Sequence, residues 1–136
     1  MAFNGYLIKF NGSIFPMEYM KNDGYNITPN QRMESEAKRA VTGYLHRTTV
    51  AHTATKIEFN TPIMTNMQVA DMMSRFRNAW SSTAERKLTL EYYDMETDSY
   101  KTGDFYMPDI KFPIDHIDTE HNIVYYKEIR IAFIEY

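Results

Sequence analysis

The chain has 136 residues, a formal net charge of −3 and no cysteine. This length is typical of one domain that buries a core unaided, and the absence of cysteine excludes disulfides, thiolate zinc sites and cysteine nucleophiles. The 15 basic and 18 acidic residues are mixed along the sequence, which argues against a nucleic-acid-binding protein that relies on clustered Lys and Arg. No apolar stretch approaches the ~20 residues of a membrane span, and no secretory signal pattern opens the chain.

The first forty residues predict a short hairpin followed by a long loop. Residues 6–10 alternate apolar and polar side chains, and Asn11 with Gly12 is a strong hairpin-turn signal because both residues tolerate positive φ. A brief return strand ends at Pro16. Residues 17–38 then combine turn signals with a charged run that has no apolar stripe. We expect 17–38 to be a loop or arm that becomes ordered only against a neighbouring molecule.

The next segment predicts a pair of strands. Residues 40–50 and 53–59 are rich in threonine and β-branched side chains, which favour extended structure. Residues 50–52 are the expected connection between them. Thr61 and Pro62 are expected to end the pair.

An amphipathic helix is predicted from Asn66 to about Ser81. Thr65 and Gln68 have the spacing of a capping box, in which each side chain binds a backbone N–H that the helix leaves unpaired. Apolar residues then recur at helical spacing and form one stripe. Packing of this stripe on a sheet is far more common than a cofactor pocket. The core stripe consists of Val69, Met72, Met73, Phe76 and Trp80.

The C-terminal third predicts a second hairpin and a long final strand. Residues 86–94 and 99–107 alternate on either side of an acidic turn. Residues 115–122 read as a polar loop, and residues 122–135 as the longest strand. Because this strand ends so close to Tyr136, we expect the C-terminus to be built into a sheet, with nothing kept back for a tail or a second domain.

Several patterns could carry chemistry, and none completes a site. The histidines lack the tight local spacing of zinc ligands; they are His46, His52, His116 and His121. Residues 94–98 resemble the start of a calcium loop, but Ser99 replaces the required glycine and Phe105 the bidentate glutamate. There is no glycine-rich phosphate loop and no serine nucleophile motif. We therefore predict no catalytic residues, no metal, no cofactor and no enzymatic activity.

The chain is rich in tyrosine and methionine, with 11 and 10 residues respectively. Both types are enriched in buried interface centres, although tyrosine also simply suits strands. Tyrosines, together with Arg32 of the 17–38 segment and Arg39 directly after it, supply the candidate inter-subunit contacts, which are Tyr19, Tyr25, Arg32, Arg39, Tyr126 and Tyr136.

Short patterns spread over most of the chain carry a family resemblance. They are the strand and turn of residues 7–12, Lys56-Ile-Glu-Phe-x-x-Pro62 before a helix, Leu88-x-Leu-x-Tyr-x-Asp94, Tyr100-x-Thr-x-x-Phe105-Tyr, Asp109-x-x-x-Pro113 and Phe133-Ile-Glu. In these patterns the sequence resembles a small, functionally uncharacterised family encoded in the tail-gene clusters of phages and prophages of Gram-positive bacteria. The order of the predicted elements is also similar to the tail-tube fold of tube subunits, distal-tail proteins and tail terminators.

This resemblance implies a mainly β (α+β) domain, a β-sandwich or open barrel with one flanking amphipathic helix. It implies a structural component of a bacteriophage tail, as a tube, distal-tail or tail-adaptor subunit, that self-assembles into a ring, usually six-fold, around the tail channel. The implied partners are copies of the same chain and other tail proteins such as tape-measure or baseplate components. DNA would only pass through the channel non-specifically, and no membrane is involved. The implied location is the tail of the virion, after synthesis in the cytoplasm of the bacterial host.

Two other functions remain open from the sequence. A soluble phage-encoded adaptor or inhibitor of a host protein would behave as a monomer or dimer. A small β-barrel ligand carrier would need an internal cavity lined by tyrosines.

Overall fold

A computed structural model of the protein describes residues 3–39 and 45–136, with side chains described outside residues 32–52. The described chain contains ten strands, one α-helix and a single turn of 3-10 helix at Met17–Tyr19. The strands before the helix are β1 (Ile8–Phe10), β2 (Ser13–Ile14), β3 (Asn26–Arg39), β4 (Leu45–Asn60) and β5 (Met64–Thr65). Helix α1 (Asn66–Ala79) follows, and then β6 (Lys87–Asp94), β7 (Ser99–Tyr106), β8 (Ile114–Asp118), β9 (Ile123–Tyr126) and β10 (Arg130–Glu135). The predicted mainly β fold with one helix is confirmed.

The strands form two antiparallel sheets. The main sheet has seven strands in the order β2-β1-β6-β7-β10-β4-β3, and the small sheet has three in the order β5-β9-β8. Strand β10 lies between β7 and β4 and pairs with both. The final strand is therefore built into the middle of the main sheet, as expected from the sequence.

The core lies between one face of the main sheet and helix α1. Phe76 is fully buried at its centre, and its ring lies 5.4 Å from Phe15, 5.6 Å from Phe10 and 5.8 Å from Phe133 between centroids. Val69 and Met72 are buried beside it. The last two members of the predicted stripe, Met73 and Trp80, are partly buried and pack against the edge of the core.

Local capping determines both ends of the helix. The backbone N–H of Thr65 donates to Oε1 of Gln68 at 3.0 Å, and the N–H of Gln68 donates to Oγ1 of Thr65 at 3.4 Å. This is the predicted capping box. The helix ends at Ala79, slightly before the predicted end, because the N–H of Ser81 instead donates to the carbonyl of Lys87 at 2.7 Å. The helix of the described chain is too short and polar to cross a membrane.

The hairpins predicted from turn signals are present. Asn11 and Gly12, with φ of 53° and 75°, connect β1 to β2. Strands β6 and β7 pair without a break from Lys87↔Tyr106 to Asp94↔Ser99, and Asp98 in their turn has φ of 51°.

The region before the helix differs from the sequence prediction. Residues 26–38, expected as part of a loop, form most of the 14-residue strand β3. Residues 50–52, expected as a connection, lie inside the continuous 16-residue strand β4, so the prediction of two strands joined there is wrong. Strand β4 pairs with β3. Residues 40–44, where the first of those two strands was expected to begin, lie outside the described residues.

The end of the chain also differs. The first half of the predicted polar loop at residues 115–122 belongs to strand β8, and the single strand predicted at 122–135 is divided into β9 and β10. The division falls where the chain passes from the small sheet to the main sheet. There the N–H of Ile129 donates to Oγ1 of Thr61 at 3.0 Å, and the N–H of Thr61 donates to the carbonyl of Ile129 at 2.9 Å.

Candidate assembly surfaces

Strands β3 and β4 form a long hairpin that extends well beyond the main sheet. Strand β10 accompanies β4 only from Asn60 to Lys56, whereas the pairing of β3 with β4 continues to Arg39↔Leu45. The distal part of the long hairpin, residues 31–39 and 45–54, spans on the order of 30 Å. Among the described strands, no third strand pairs with it. Both edges of this ribbon therefore present backbone donors and acceptors, which can pair with another chain.

The long hairpin is irregular. Its register shifts between Thr28 and Gln31, between Arg32 and Glu34, and between Glu34 and Glu36. Each shift of this kind inserts one or two unmatched residues, which bend the ribbon and increase its twist. We therefore expect the long hairpin to be bent and strongly twisted.

A group of polar side chains lies at the base of the long hairpin. Oγ1 of Thr55 accepts from the N–H of Asn30 at 3.1 Å and lies 3.2 Å from the hydroxyl of Tyr92. The N–H of Thr55 donates to Oε1 of Glu135 at 2.9 Å. A side chain at Gly103 would overlap the carboxylate of Glu135, so the glycine leaves the space that this contact needs. We define the root cluster as Asn30, Thr55, Tyr92, Asp94, Lys101 and Glu135.

Asp94 is the buried acid of the root cluster, and its side chain has no exposed surface. Its Oδ2 accepts from Nδ2 of Asn30 at 3.0 Å and lies 2.9 Å from Nζ of Lys101. Its Oδ1 accepts from the N–H of Glu96 at 2.9 Å. Burial alone would raise the pKa of Asp94, but the hydrogen bonds from Lys101, Asn30 and Glu96 outweigh it and lower the pKa to about 2. The carboxylate is therefore charged at neutral pH, and it raises the pKa of Lys101 in turn.

Apolar side chains are exposed on or beside the small sheet, and we call them the small-sheet surface. Strand β8 is an edge strand of that sheet, and four of its five residues are exposed. The members of this surface are 40% to 68% exposed; they are Ile63, Met67, Phe112, Ile114 and Ile117. Exposed apolar side chains at a strand edge are typical of surfaces that contact other proteins.

The predicted contact tyrosines are differently placed. Tyr19 is only 5% exposed and donates to Asp71 at 2.6 Å; its ring belongs to the chain's own core, which corrects its prediction as an inter-subunit contact. Burial and the bond to Asp71 raise the pKa of Tyr19 to about 12. Tyr25 stacks on Phe59, and its buried hydroxyl has no hydrogen-bond partner among the residues whose side chains are described.

The remaining predicted contacts lie further apart. Tyr126 is partly buried against the core, whereas Tyr136 is 44% exposed and packs edge-on against Tyr106. Arg32 and Arg39 lie on β3, but their side chains lie outside the described part of the chain. The structure does not bring the described tyrosines together into one surface.

The sequence analysis missed the root cluster, although a signal for Asp94 was present. In β6 every second residue is buried, and the alternation runs through Leu88, Leu90 and Tyr92 to Asp94. An acid in phase with buried apolar residues must have polar partners inside the protein. The sequence analysis placed Asp94 at the end of the predicted strand 86–94 and assigned it no buried polar partners.

A group of possible metal ligands occurs on the β8–β9 turn. Asp118, Glu120 and His121 place their donor atoms within 4.8 Å of one another. Oδ1 of Asp118 accepts from the N–H groups of Glu120 and His121, and its Oδ2 lies 2.9 Å from Nδ1 of His121. These contacts are those of a hydrogen-bonded turn.

The fold is similar to that of a chain in the solved structure of a particle tail. A solved structure titled as the tail of an empty GTA particle, computed with helical refinement and C6 symmetry, contains a chain that superposes with a TM-score of 0.56 and 13% sequence identity. The match covers 99% of this protein and 95% of that chain. At this identity the likeness establishes a shared fold.

A comparison with curated protein sequences gives no match. The chain matches the family of unknown function DUF6711 over residues 1–136, and it belongs to that family.

Proposed function

We propose that the protein is a non-catalytic structural subunit of a phage or phage-like tail. In this proposal, copies of the chain assemble side by side into a ring, with six-fold symmetry, around the tail channel. The observation that carries it is the likeness of nearly the whole chain to a chain of a C6-symmetric particle tail. The subunit would serve in the tube, at the distal tail or in an adaptor ring, within the virion tail, after synthesis in the host cytoplasm.

The long hairpin supports a role in assembly. An isolated two-stranded ribbon is marginally stable in water, and the distal part of this one has no third strand beside it among the described residues. A neighbouring copy that packs along the ribbon would satisfy its edges, and ring closure would do so for every subunit at once. The small-sheet surface offers a second contact region.

The charge of the chain suits a channel wall that does not bind nucleic acid. A formal net charge of −3 repels DNA weakly, so DNA would pass without specific contacts. The further partners proposed here are other tail proteins, such as tape-measure or baseplate components. No membrane enters the proposal.

The proposal is tested by electron microscopy of the purified chain with a shortened long hairpin as the comparison. Deletion of residues 36–39 together with 45–48 removes strand positions that face each other at Arg39↔Leu45 and Glu36↔Thr48. The root cluster and the main sheet stay intact. The full chain is expected to form rings or short tubes, and the shortened chain is expected to remain a monomer whose circular dichroism spectrum still shows a folded, β-rich domain.

A length-preserving control distinguishes the contribution of the backbone edges to ring assembly from the contribution of the side chains. In this control the same eight positions are replaced by alternating Thr and Ser, which keeps the ribbon and its edges. We expect it to form rings at a higher protein concentration than the original chain. A full chain that remains a 16.1 kDa monomer at high concentration would contradict the proposal and favour a soluble adaptor.

A further inference from the structure

We propose that Asp94 is a positioning residue that closes the main sheet on itself at the base of the long hairpin and so fixes the direction in which the hairpin leaves the domain. The consequence for ring assembly rests on the proposed function. The closure itself does not, because it concerns contacts within one chain.

The first step is that the hydrogen bond between Asn30 and Asp94 joins two strands that are far apart in the order of the main sheet. Asp94 ends β6, and Asn30 lies in β3; three strands, β7, β10 and β4, lie between them in the main sheet. In a flat sheet, strands four positions apart are separated by about 19 Å. Nδ2 of Asn30 nevertheless lies 3.0 Å from Oδ2 of Asp94. The sheet is therefore strongly curled at this end, like an open barrel, and a side-chain bond joins its two sides.

The second step is where the backbone pairing stops. The last pair between β10 and β4 is Ile134↔Lys56. At the next residue of β4, Thr55, the N–H donates to the side chain of Glu135 instead. Thr55 in turn contacts Tyr92 on β6 through its hydroxyl at 3.2 Å. Where the long hairpin separates from β10, hydrogen bonds from side chains therefore replace the backbone pairing.

The third step is the bend in β3. Asn30 has φ of 51° and lies in the register shift between Thr28 and Gln31. Its N–H is bound by Thr55 and its side-chain amide by Asp94. Both contacts hold this residue in a conformation that most side chains disfavour. The direction of the distal part of the long hairpin is set at this bend.

The fourth step is the strength of the attachment. A buried, charged carboxylate forms stronger hydrogen bonds than a neutral group, and Lys101 neutralises it from β7 at 2.9 Å. An asparagine at position 94 would lose the ion pair with Lys101. Its NH2 group would also replace one carboxylate oxygen, and this group cannot accept a hydrogen bond from the donors that now surround Asp94. The bond to Asn30 therefore depends on the carboxylate, and shape alone does not replace it.

The test is hydrogen–deuterium exchange of the free chain, with two variants and two matched controls. Asp94→Asn removes the charge, and Asn30→Gly removes the amide while tolerating the positive φ. Asp104→Asn makes the same chemical change on the exposed side of the β6–β7 hairpin, where Asp104 accepts from Thr89. Asn122→Gly makes the same change at a turn residue with φ of 57°.

Asn30→Gly is expected to raise exchange by about tenfold at residues 26–31 and 53–56 and by less than about twofold in β6 and β7. Asp94→Asn also loses the ion pair with Lys101 on β7, so it is expected to raise exchange in β6 and β7 as well, but by a smaller factor than at residues 26–31 and 53–56. Neither control should change exchange in the long hairpin. Equal acceleration throughout the chain, or none at the base of the hairpin, would overturn the proposal. If Asp94→Asn does not fold, the result for Asn30→Gly decides.

Microscopy of the same variants then separates the two proposals. We expect rings to require a higher concentration of Asn30→Gly than of Asn122→Gly. If the unchanged chain forms no rings, the proposed function fails, while the exchange experiment still decides the closure. If rings form equally well although exchange has increased locally, the closure holds but its role in assembly is refuted.

Discussion

Two hairpins of the main sheet, the β6–β7 hairpin and the long hairpin, show opposite relations to the core. The β6–β7 hairpin has eight residues in each strand and unbroken register, and every second residue of β6 is buried. The long hairpin has strands of 14 and 16 residues and several register shifts. One hairpin lies within the sheet, and the other leaves it.

The difference explains which hairpin the sequence predicts. A strand inside a sheet has one face against a core, so its side chains alternate and the period is visible. The distal part of the long hairpin leaves the sheet and has no third strand beside it in the described chain. Its sequence lacks the alternation. Where β4 rejoins the sheet, Thr55, Ile57 and Phe59 are buried in alternation, and there the predicted strand was placed correctly.

The largest effect on stability is expected in the core between the main sheet and helix α1. Phe76→Ala is expected to lower the free energy of unfolding by about 3–5 kcal/mol because it deletes a fully buried aromatic ring. Urea denaturation provides the measurement. Met67→Ala on the same helix, where the side chain is 68% exposed, is expected to cost less than about 0.5 kcal/mol. A loss below about 1 kcal/mol for Phe76→Ala would contradict this placement of the helix.

The root cluster, where the two hairpins meet, should show a specific acid dependence. The folded-state pKa of Asp94 is about 2, below the value of about 3.9 for an unfolded aspartate. The charged form therefore stabilises the fold above pH ~4, by on the order of 2 kcal/mol, and this contribution is lost as the pH falls toward 2. Unfolding free energies of the unchanged chain and Asp94→Asn should converge over that interval. A difference that is independent of pH would refute this assignment.

The helix cap makes a smaller, local contribution to the domain. Thr65→Ala removes the hydroxyl that accepts from the N–H of Gln68, and we expect a loss of about 1 kcal/mol in unfolding free energy. Thr65→Ser keeps the hydroxyl and should lose less than half as much. Equal losses in the two variants would show that the capping bond does not contribute.

The smallest effect on stability is expected in the distal part of the long hairpin. There, cleavage by a protease measures how accessible the backbone is. Trypsin is expected to cut the free chain near Arg32, Lys38 or Arg39 without unfolding the rest of the domain, because the ribbon edges have no third strand beside them in the described chain. The same sites should be protected in rings. Mass spectrometry of the fragments gives the cleavage sites. Cleavage at the same rate in both states would argue against an assembly role for this segment.

Much of the local structure could be predicted from the sequence. The turn at Asn11 and Gly12 and the capping box at Thr65 depend on residues close together in the chain, because positive φ and helix capping are local properties. The alternation in β6 and the stripe on α1 likewise require only a periodic pattern. These elements were placed correctly to within a few residues.

The tertiary structure decided what each element contacts. One alternating run became β9 in the small sheet and β10 in the main sheet, because alternation records a buried face but not which sheet buries it. The burial of Tyr19 and the contact between Asn30 and Asp94 join residues distant in sequence. Such contacts depend on how the whole sheet curls. Local patterns therefore determined the elements, and long-range packing determined the root cluster and the path of the long hairpin.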